Sequence, residues 1–186
     1  MTNPAPDHEV TGSGRLRLRR PTEHDLDVVF EIHSDPRTNV HNPAGPDPDR
    51  AASRRRLDEW LRHWEHHGFG YWVVETTDPS ADPGTAVIGF SGLRNEVWLE
   101  QPVLNLYYRL AAQHWGQGYA REVARHAVGW ARNRHPDLPV LARTTLDNLG
   151  SQRTAAAAGL VRRQDLERVD PNGVYEVIFV SHWAPC

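Results

Sequence analysis

Apolar residues recur at two spacings along this chain of 186 residues, and the spacings separate predicted strands from predicted helices. Alternation at every second position is typical of a strand, whereas recurrence every three or four positions is typical of an amphipathic helix. Alternating or short apolar segments predict strands at 15–20, 70–76, 85–93, 103–110 and 139–146. A last hairpin is predicted to join 160–169 to 174–183 across the turn sequence Asp-Pro-Asn-Gly. These segments predict a domain built around a sheet.

Four segments have the helical spacing. The first follows Thr22, a candidate N-cap that has Asp25 three residues later as a weak capping box. The second has one apolar face, formed by Leu57, Trp60, Leu61 and Trp64. The third covers 120–132 and the fourth 148–159, which Gly159 is predicted to close. Because strands and helices alternate in the second half, a mixed α/β (α+β) fold is predicted.

The chain has no internal repeat or linker, and its length suits one core of ordinary size. We therefore predict a single domain over 14–186, preceded by a flexible polar tail at 1–13. The loop at 34–49 contains four prolines and is too long for a simple connector. Loops of that length often act as binding lids or clamps.

Charge and hydropathy exclude several classes of partner. The formal net charge is −3, so the chain lacks the basic field of a nucleic-acid-binding protein. The first residues have neither the basic nor the apolar region of a signal peptide. No apolar run approaches the roughly 18 residues that span a bilayer. We expect a cytoplasmic protein that binds neither nucleic acid nor membrane.

Cysteine and histidine point to no further chemistry. Cys186 is the single cysteine, which excludes an intrachain disulfide, and its terminal position disfavours a catalytic thiolate. His63 and His67 are one helical turn apart, a spacing suited to a metal pair, but no third ligand is evident. We therefore expect no metal site and interpret the two histidines as part of a solvated helix face.

Candidate chemistry begins at Gly116 and Gly118, which lie between an apolar strand and an amphipathic helix. A helix N-terminus presents unpaired N–H groups and partial positive charge, and glycine lets those groups approach a phosphate closely. A pair of glycines is also common at an ordinary tight turn. The P-loop motif is excluded because the chain has no lysine, and the Rossmann motif is excluded because Arg121 replaces its third glycine.

Two longer motifs resemble one family. The stretch Gln-His-Trp-Gly-Gln-Gly-Tyr-Ala at 113–120 is similar to the Q/R-x-x-G-x-G/A pyrophosphate loop of the GNAT superfamily of acetyl-CoA-dependent N-acetyltransferases. About thirty residues later, a second segment resembles the family's Asn-x-x-Ser-x-Arg…Leu-Gly-Phe helix at Asn148, Ser151, Arg153 and Gly159. Leu160 stands where the family usually has Phe. With a serine at position 151, the chain resembles the RimJ/RimL-like branch of the family. The resemblance to the family covers about 14–183.

The resemblance implies a fold, a co-substrate and a partner. It implies a GNAT-type mixed, mostly antiparallel central sheet flanked by helices. The co-substrate would be acetyl-CoA without a metal, and the acceptor a primary amine on a protein N-terminus or a small molecule. Dimers are common among resembling proteins, so a homodimer is an expectation. The expected cofactor-binding residues are Tyr108, Leu110, Gln113, Trp115, Gly116, Gln117, Gly118, Tyr119, Ala120, Asn148, Ser151 and Arg153.

Departures from the family pattern decide the candidate catalytic residues. Many relatives have a Tyr general acid where this chain has Ala155, and often a Glu where it has Asn105. We therefore propose Ser151 as the general acid that protonates the leaving thiolate, with helix capping as its structural alternative. Glu100 precedes the cofactor strand and is the candidate general base acting through a water. Its alternative is simple solvation, and the weaker rivals are Glu75 and Glu176.

Two further assignments keep a structural alternative. Asn148 would bond the pantetheine amide or serve only as a helix N-cap. Arg153 would pair with a coenzyme A phosphate or simply face solvent. Other functions also stay open: a GNAT-like module that binds acyl-CoA with little catalysis, or a transferase for another acyl group such as succinyl.

Overall fold

A computed structural model describes residues 11–77 and 87–183. Within these ranges the chain forms nine strands and four α-helices. In chain order they are β1 (Thr11–Ser13), β2 (Leu16–Arg19), α1 (Leu26–Ser34), α2 (Arg50–His67), β3 (Tyr71–Thr76), β4 (Val87–Trp98), β5 (Gln101–Leu110), α3 (Tyr119–Arg134), β6 (Val140–Thr144), α4 (Leu149–Ala157), β7 (Val161–Arg162), β8 (Arg168–Val169) and β9 (Tyr175–Val180). Most of the predicted 1–13 tail and Cys186 lie outside the described residues. Thr11–Ser13 pair with β2.

The strands form one sheet in the order β1-β2-β3-β4-β5-β6-β9-β7, and β8 also pairs with β9. Every pair is antiparallel except β5–β6. Helices α3 and α4 pack on one face of the sheet, and α1 and α2 pack on the other. The prediction of a mixed, mostly antiparallel sheet flanked by helices is confirmed.

Helix α3 shows how the apolar pattern positions an element. Its buried residues recur at helical spacing and face β4 and β5. They are Tyr119, Val123, Ala124, Ala127, Val128 and Ala131. The small alanines let the helix approach the sheet closely, which sets the position of its N-terminus at the end of β5.

Strands β5 and β6 pair over a very short length. Their register joins Leu104 to Val140 and Asn105 to Leu141, and pairing stops there. Beyond that point β6 turns to pair with β9, while β5 continues beside β4 as far as Leu110. The two parallel strands therefore separate and leave a gap between them toward their C-terminal ends.

The hairpin between β4 and β5 differs from the prediction. β4 extends to Trp98 and β5 begins at Gln101, so Leu99 and Glu100 form a two-residue turn. Both have positive φ, 46° and 66°, which matches the backbone of a type I′ turn. Such turns normally carry Asn or Gly, and neither residue is there, so the turn has no local signature in the sequence.

The C-terminal hairpin is present, but its first arm is interrupted. The predicted strand 160–169 consists of β7 and β8, separated by a 3-10 turn at Gln164–Leu166. The first predicted helix also begins later, because Thr22 caps a 3-10 turn and α1 starts at Leu26. Within the described ranges, no helix has both the length and the apolar character needed to cross a membrane.

Candidate active site

The gap between β5 and β6 opens into a cleft of about 1120 Å³. One wall is formed by the N-terminal ends of α3 and α4, which lie on the same face of the sheet. The other wall is formed by the loop after α1, residues 37–44, and by residues from the β8–β9 turn. The proline-rich loop predicted to act as a lid or clamp thus contributes directly to the cleft.

The edge of β5 that faces the gap carries backbone donors. The amide of Leu104 donates to the carbonyl of Pro139 on the β6 side, at 2.9 Å. Because amides alternate along a strand, those of Leu106 and Tyr108 point toward the same edge. Strand β6 no longer pairs with β5 at these positions, so both amides face the cleft.

The glycine loop leads directly into α3. Gly116 and Gly118 have φ of 77° and 82°, a left-handed backbone that favours glycine. The first intrahelical bond of α3 runs from the amide of Glu122 to the carbonyl of Gly118, at 3.1 Å. The amides of the first helical turn therefore have no partner within the helix, and together they form a site suited to an anion at the mouth of the cleft.

Arg15 braces this loop from the start of β2. Its guanidinium donates to the carboxylate of Glu122 at 2.8 Å and to the carbonyl of Gln117 at 3.2 Å. The same group lies 4.6 Å from the centre of the Tyr119 ring, in a cation–π contact. The alternating pattern of this segment predicts only a strand, because the contact joins residues more than one hundred positions apart.

A pair of hydroxyl groups lies on the α4 side of the cleft. The hydroxyl of Tyr108 is 2.9 Å from both the hydroxyl and the carbonyl oxygen of Ser151. Burial raises the pKa of Tyr108 to about 12, so the phenol stays protonated at neutral pH. The side chain of Asn148 accepts from the backbone amide of Ser151 at 3.0 Å and thereby caps α4. The serine hydroxyl itself plays no part in that cap.

The family-model comparison decides the identity of this architecture. Residues 15–161 match the model described as "Acetyltransferase (GNAT) domain". The chain belongs to the GNAT acetyltransferase family. The match covers the glycine loop, the separating strands and the hydroxyl pair.

Relatives of this GNAT domain include proteins of known and unknown role. Protein YkkB of Bacillus subtilis (strain 168), itself uncharacterised, is 26% identical over 169 residues, which are 87% of this chain and 91% of YkkB. An acetyltransferase from Agrobacterium tumefaciens str. C58 superposes with a TM-score of 0.75 at 21% identity, covering 93% of this chain and 94% of that one. Spermidine N-acetyltransferase from Vibrio cholerae, solved with CoA and spermine, gives a TM-score of 0.67 at 16% identity, covering 89% and 93%. These identities do not assign a branch, so the RimJ/RimL-like branch stays a prediction.

Most cofactor-binding residues expected from the sequence line the cleft of this GNAT domain. Those that line it are Tyr108, Leu110, Trp115, Gly116, Gly118, Tyr119, Ala120, Asn148 and Ser151. Gln113, Gln117 and Arg153 are exposed and lie outside its lining. Arg121, in the first turn of α3, lines the cleft but was used in the sequence analysis only to exclude another motif.

The structure does not bring Glu100 to the cleft. The residue is exposed in the β4–β5 turn, at the opposite end of the hairpin from the gap. Five residues of extended strand, about 17 Å, separate it from Asn105, which lines the cleft. The error arose because Glu100 precedes β5 in sequence while the gap opens at the other end of that strand.

The two rival carboxylates have different positions. Glu75 lies on β3 and forms ion pairs with Arg17 and Arg19, outside the cleft lining. Glu176 lies on β9 and lines the cleft. Its carboxylate is 3.5 Å from the guanidinium of Arg143 and 3.6 Å from that of Arg168. Of the three carboxylates considered as bases, Glu176 alone lines the cleft.

The predicted histidine pair has a structural role at the end of α2. The Nδ1 of His63 lies 2.8 Å from the carbonyl oxygen of Phe69, and its Nε2 accepts from the amide of Asn95 at 3.1 Å. The ring centres of His63 and His67 lie 4.4 Å apart, with the ring planes tilted by 39°. Because both nitrogens of His63 are engaged, this pair offers no preformed metal ligands.

Proposed function

We propose that this chain is an N-acetyltransferase that moves the acetyl group of acetyl-CoA to a primary amine by direct attack. One observation carries the proposal: the amides of Leu106 and Tyr108 face a gap that begins beside an anion-binding helix terminus. An extended acyl-pantetheine chain can pair with such an edge while its pyrophosphate reaches the glycine loop.

The residues present suit acetyl-CoA. The amides after Gly118 and the guanidinium of Arg121 supply donors and positive charge for a pyrophosphate. Acetyl-CoA supplies an activated thioester. A β5 amide would donate to the thioester oxygen and stabilise the negative charge that develops there when the amine nitrogen attacks.

The hydroxyl pair would complete the transfer. As the carbon–sulfur bond breaks, the hydroxyl of Ser151 would donate its proton to the coenzyme A sulfur and recover one from Tyr108, which in turn would regain a proton from water in the cleft. The amine must lose a proton to attack, since an alkyl ammonium has a pKa of about 10. Glu176, which lines the cleft from β9, is the candidate acceptor of that proton. Cytoplasmic location and a homodimer stay predictions of the sequence.

Two assays test this function. Acetyl-CoA at about 100 times its dissociation constant should stabilise the protein by roughly 2.7 kcal/mol in thermal unfolding. Release of free thiol is then measured with acetyl-CoA and a panel of primary amines, including peptides and small molecules. Stabilisation without thiol release for any amine would favour an acyl-CoA-binding module, and faster release from succinyl-CoA would favour succinyl transfer. No stabilisation by acetyl-CoA would overturn the proposal.

A further inference from the structure

The loop after α1 holds a cationic side chain in the cleft, on the face of the sheet opposite the glycine loop. This side chain is Arg109, near the end of β5. We propose that Arg109 binds a carboxylate of the acceptor, so that the acceptor is an amino acid or a peptide with a carboxylate close to its amino group. This inference rests on the proposed acetyl transfer and names the substrate class for it.

The alternation of side chains along β5 puts Arg109 on the face of the sheet opposite the glycine loop, which is the acceptor side of this proposal. Tyr108 contacts Ser151 on α4, whereas Tyr107 contacts His33 on α1. Side chains at alternate positions of a strand share a face, so Arg109 lies with Tyr107. The glycine loop and Tyr108 are on the other face, where the coenzyme would be held.

The position of the guanidinium is fixed by Asn39. The Oδ1 of Asn39 accepts from Arg109. The amide nitrogen of Asn39 donates to the carbonyl oxygens of His33 and Asp35, both at 2.9 Å, so the amide is correctly oriented to accept. Asn39 is only 5% exposed, so its hydrogen bond to Arg109 is a buried contact that holds the guanidinium in place.

No carboxylate neutralises Arg109 among the residues that the structure describes. Its other neighbour is the phenol of Tyr107, whose pKa burial raises, and which donates to the neutral ring of His33. Burial lowers the pKa of His33 to about 3, so this ring carries no charge at neutral pH. The cation therefore rests among neutral groups.

Nearby carboxylates are already committed to other arginines. Asp35 pairs with Arg37 at 2.7 Å, and Asp47 pairs with Arg56 at 2.5 Å. A partly buried guanidinium with neutral partners keeps several donors available for a planar, bidentate anion. Such an anion would come from the acceptor, since this face is not the one that holds the coenzyme loop.

Carboxylates line the same wall on the far side of the gap. Glu176 lines the cleft from β9, across the gap from β5, and Asp170 lines it from the β8–β9 turn. The guanidinium groups of Arg143 and Arg168 lie 3.5 and 3.6 Å from the carboxylate of Glu176, so the charge of Glu176 is shared with them. An acceptor with a carboxylate on Arg109 would direct its amino group toward the gap, whereas a simple alkyl amine lacks the group that Arg109 can bind.

The decisive experiment compares matched acceptors in the thiol-release assay. The acceptors are an amino acid, its carboxamide, the corresponding decarboxylated amine, and a dipeptide with Asp in second position. Wild-type protein should prefer one of the two carboxylate-bearing acceptors. Preference for the amino acid would identify a free amino acid as the acceptor class, and preference for the dipeptide would identify a peptide. Arg109→Gln should raise KM for that acceptor about tenfold or more, with less effect on kcat. KM for acetyl-CoA should stay unchanged.

Arg163→Gln is the matched control, because Arg163 is paired with the neighbouring Asp165 and lies outside the cleft lining. It should leave acceptor preference unchanged, and Arg109→Lys should recover part of the lost affinity. Equal KM increases for all acceptors, or a rise in KM for acetyl-CoA, would overturn the inference. Preference of the wild type for the decarboxylated amine would overturn it while leaving N-acetyl transfer in place. Absence of thiol release with every amine would instead overturn the proposed function.

Discussion

The two walls of the cleft are built in different ways. The wall formed by α3 and α4 offers mainly backbone donors, and its components lie in two short contiguous segments. The opposite wall offers side chains, such as Arg109 and Glu176, that come from distant parts of the chain, and Asn39 supports Arg109 from behind this wall. A backbone cradle binds one invariant group, whereas side chains can be exchanged without moving the fold. In the proposed function, this difference separates a wall that holds the co-substrate from a wall that selects the acceptor.

The largest expected effect concerns the hydroxyl of Ser151. Ser151→Ala should lower kcat about 100-fold if this hydroxyl protonates the leaving sulfur. The variant keeps the α4 cap, because the cap uses the backbone amide of residue 151 and the side chain of Asn148. KM for acetyl-CoA should therefore change little. Steady-state thiol release measures both constants.

Ser151→Thr is the control for this prediction, because it retains a hydroxyl and should keep most of the activity. Tyr108→Phe should have a smaller effect than Ser151→Ala, since a water can replace a proton relay more readily than the donor itself. If Ser151→Ala has wild-type kcat, the serine hydroxyl plays no part in thiolate protonation.

The acceptor-side wall predicts a pH effect on stability instead. His33 is buried with a pKa lowered to about 3, whereas an unfolded histidine titrates near 6.5. Below pH 6.5 the unfolded state takes up a proton that the folded state does not bind, so stability falls as the pH falls. The loss should reach about 2 kcal/mol between pH 6.5 and pH 5. Urea unfolding across this range measures it.

His33→Gln should be less stable at pH 7 but should have a flatter profile between pH 6.5 and pH 5. Tyr107→Phe is the control, because it removes a hydrogen-bond partner while leaving the histidine buried. That variant should keep the slope of the wild type. An unchanged slope in His33→Gln would contradict the assignment of the acid sensitivity to this ring.

The same contrast explains what the sequence could predict. Helical spacing located α3 and α4, and the motif around Gly116 and Gly118 located the coenzyme wall, because each signal lies within a few consecutive residues. The turn at Leu99 and Glu100 could not be predicted, since its positive φ values occur without Gly or Asn. The predicted base Glu100 lies in that turn, at the start of β5, whereas the gap opens at the other end of the strand.

The acceptor wall was out of reach for a different reason. Asn39 and Arg109 are seventy positions apart, and Glu176 lies another 67 positions along the chain, so no local pattern joins them. Their meeting depends on which face of β5 each side chain occupies and on where β6 leaves β5. Both facts require the register of the sheet, which periodicity alone does not specify.

The smallest expected effect tests the backbone cradle itself. Gly118 and Gly68 have similar left-handed φ values, 82° and 72°. An added Cβ would have ample space at each: its nearest neighbour at Gly118 is Arg15 at 3.8 Å, and at Gly68 nothing lies within 4 Å. Replacement by alanine should therefore cost about 1 kcal/mol of stability at both positions, through backbone strain alone.

Gly118→Ala should in addition weaken acetyl-CoA binding about tenfold, because the strained residue precedes the donor amides of α3. Gly68 ends α2 and lies outside the cleft lining, so the Gly68→Ala variant should bind acetyl-CoA as the wild type does. Thermal unfolding with and without acetyl-CoA separates the two effects, and equal affinities in both variants would show that the loop conformation does not matter for the coenzyme.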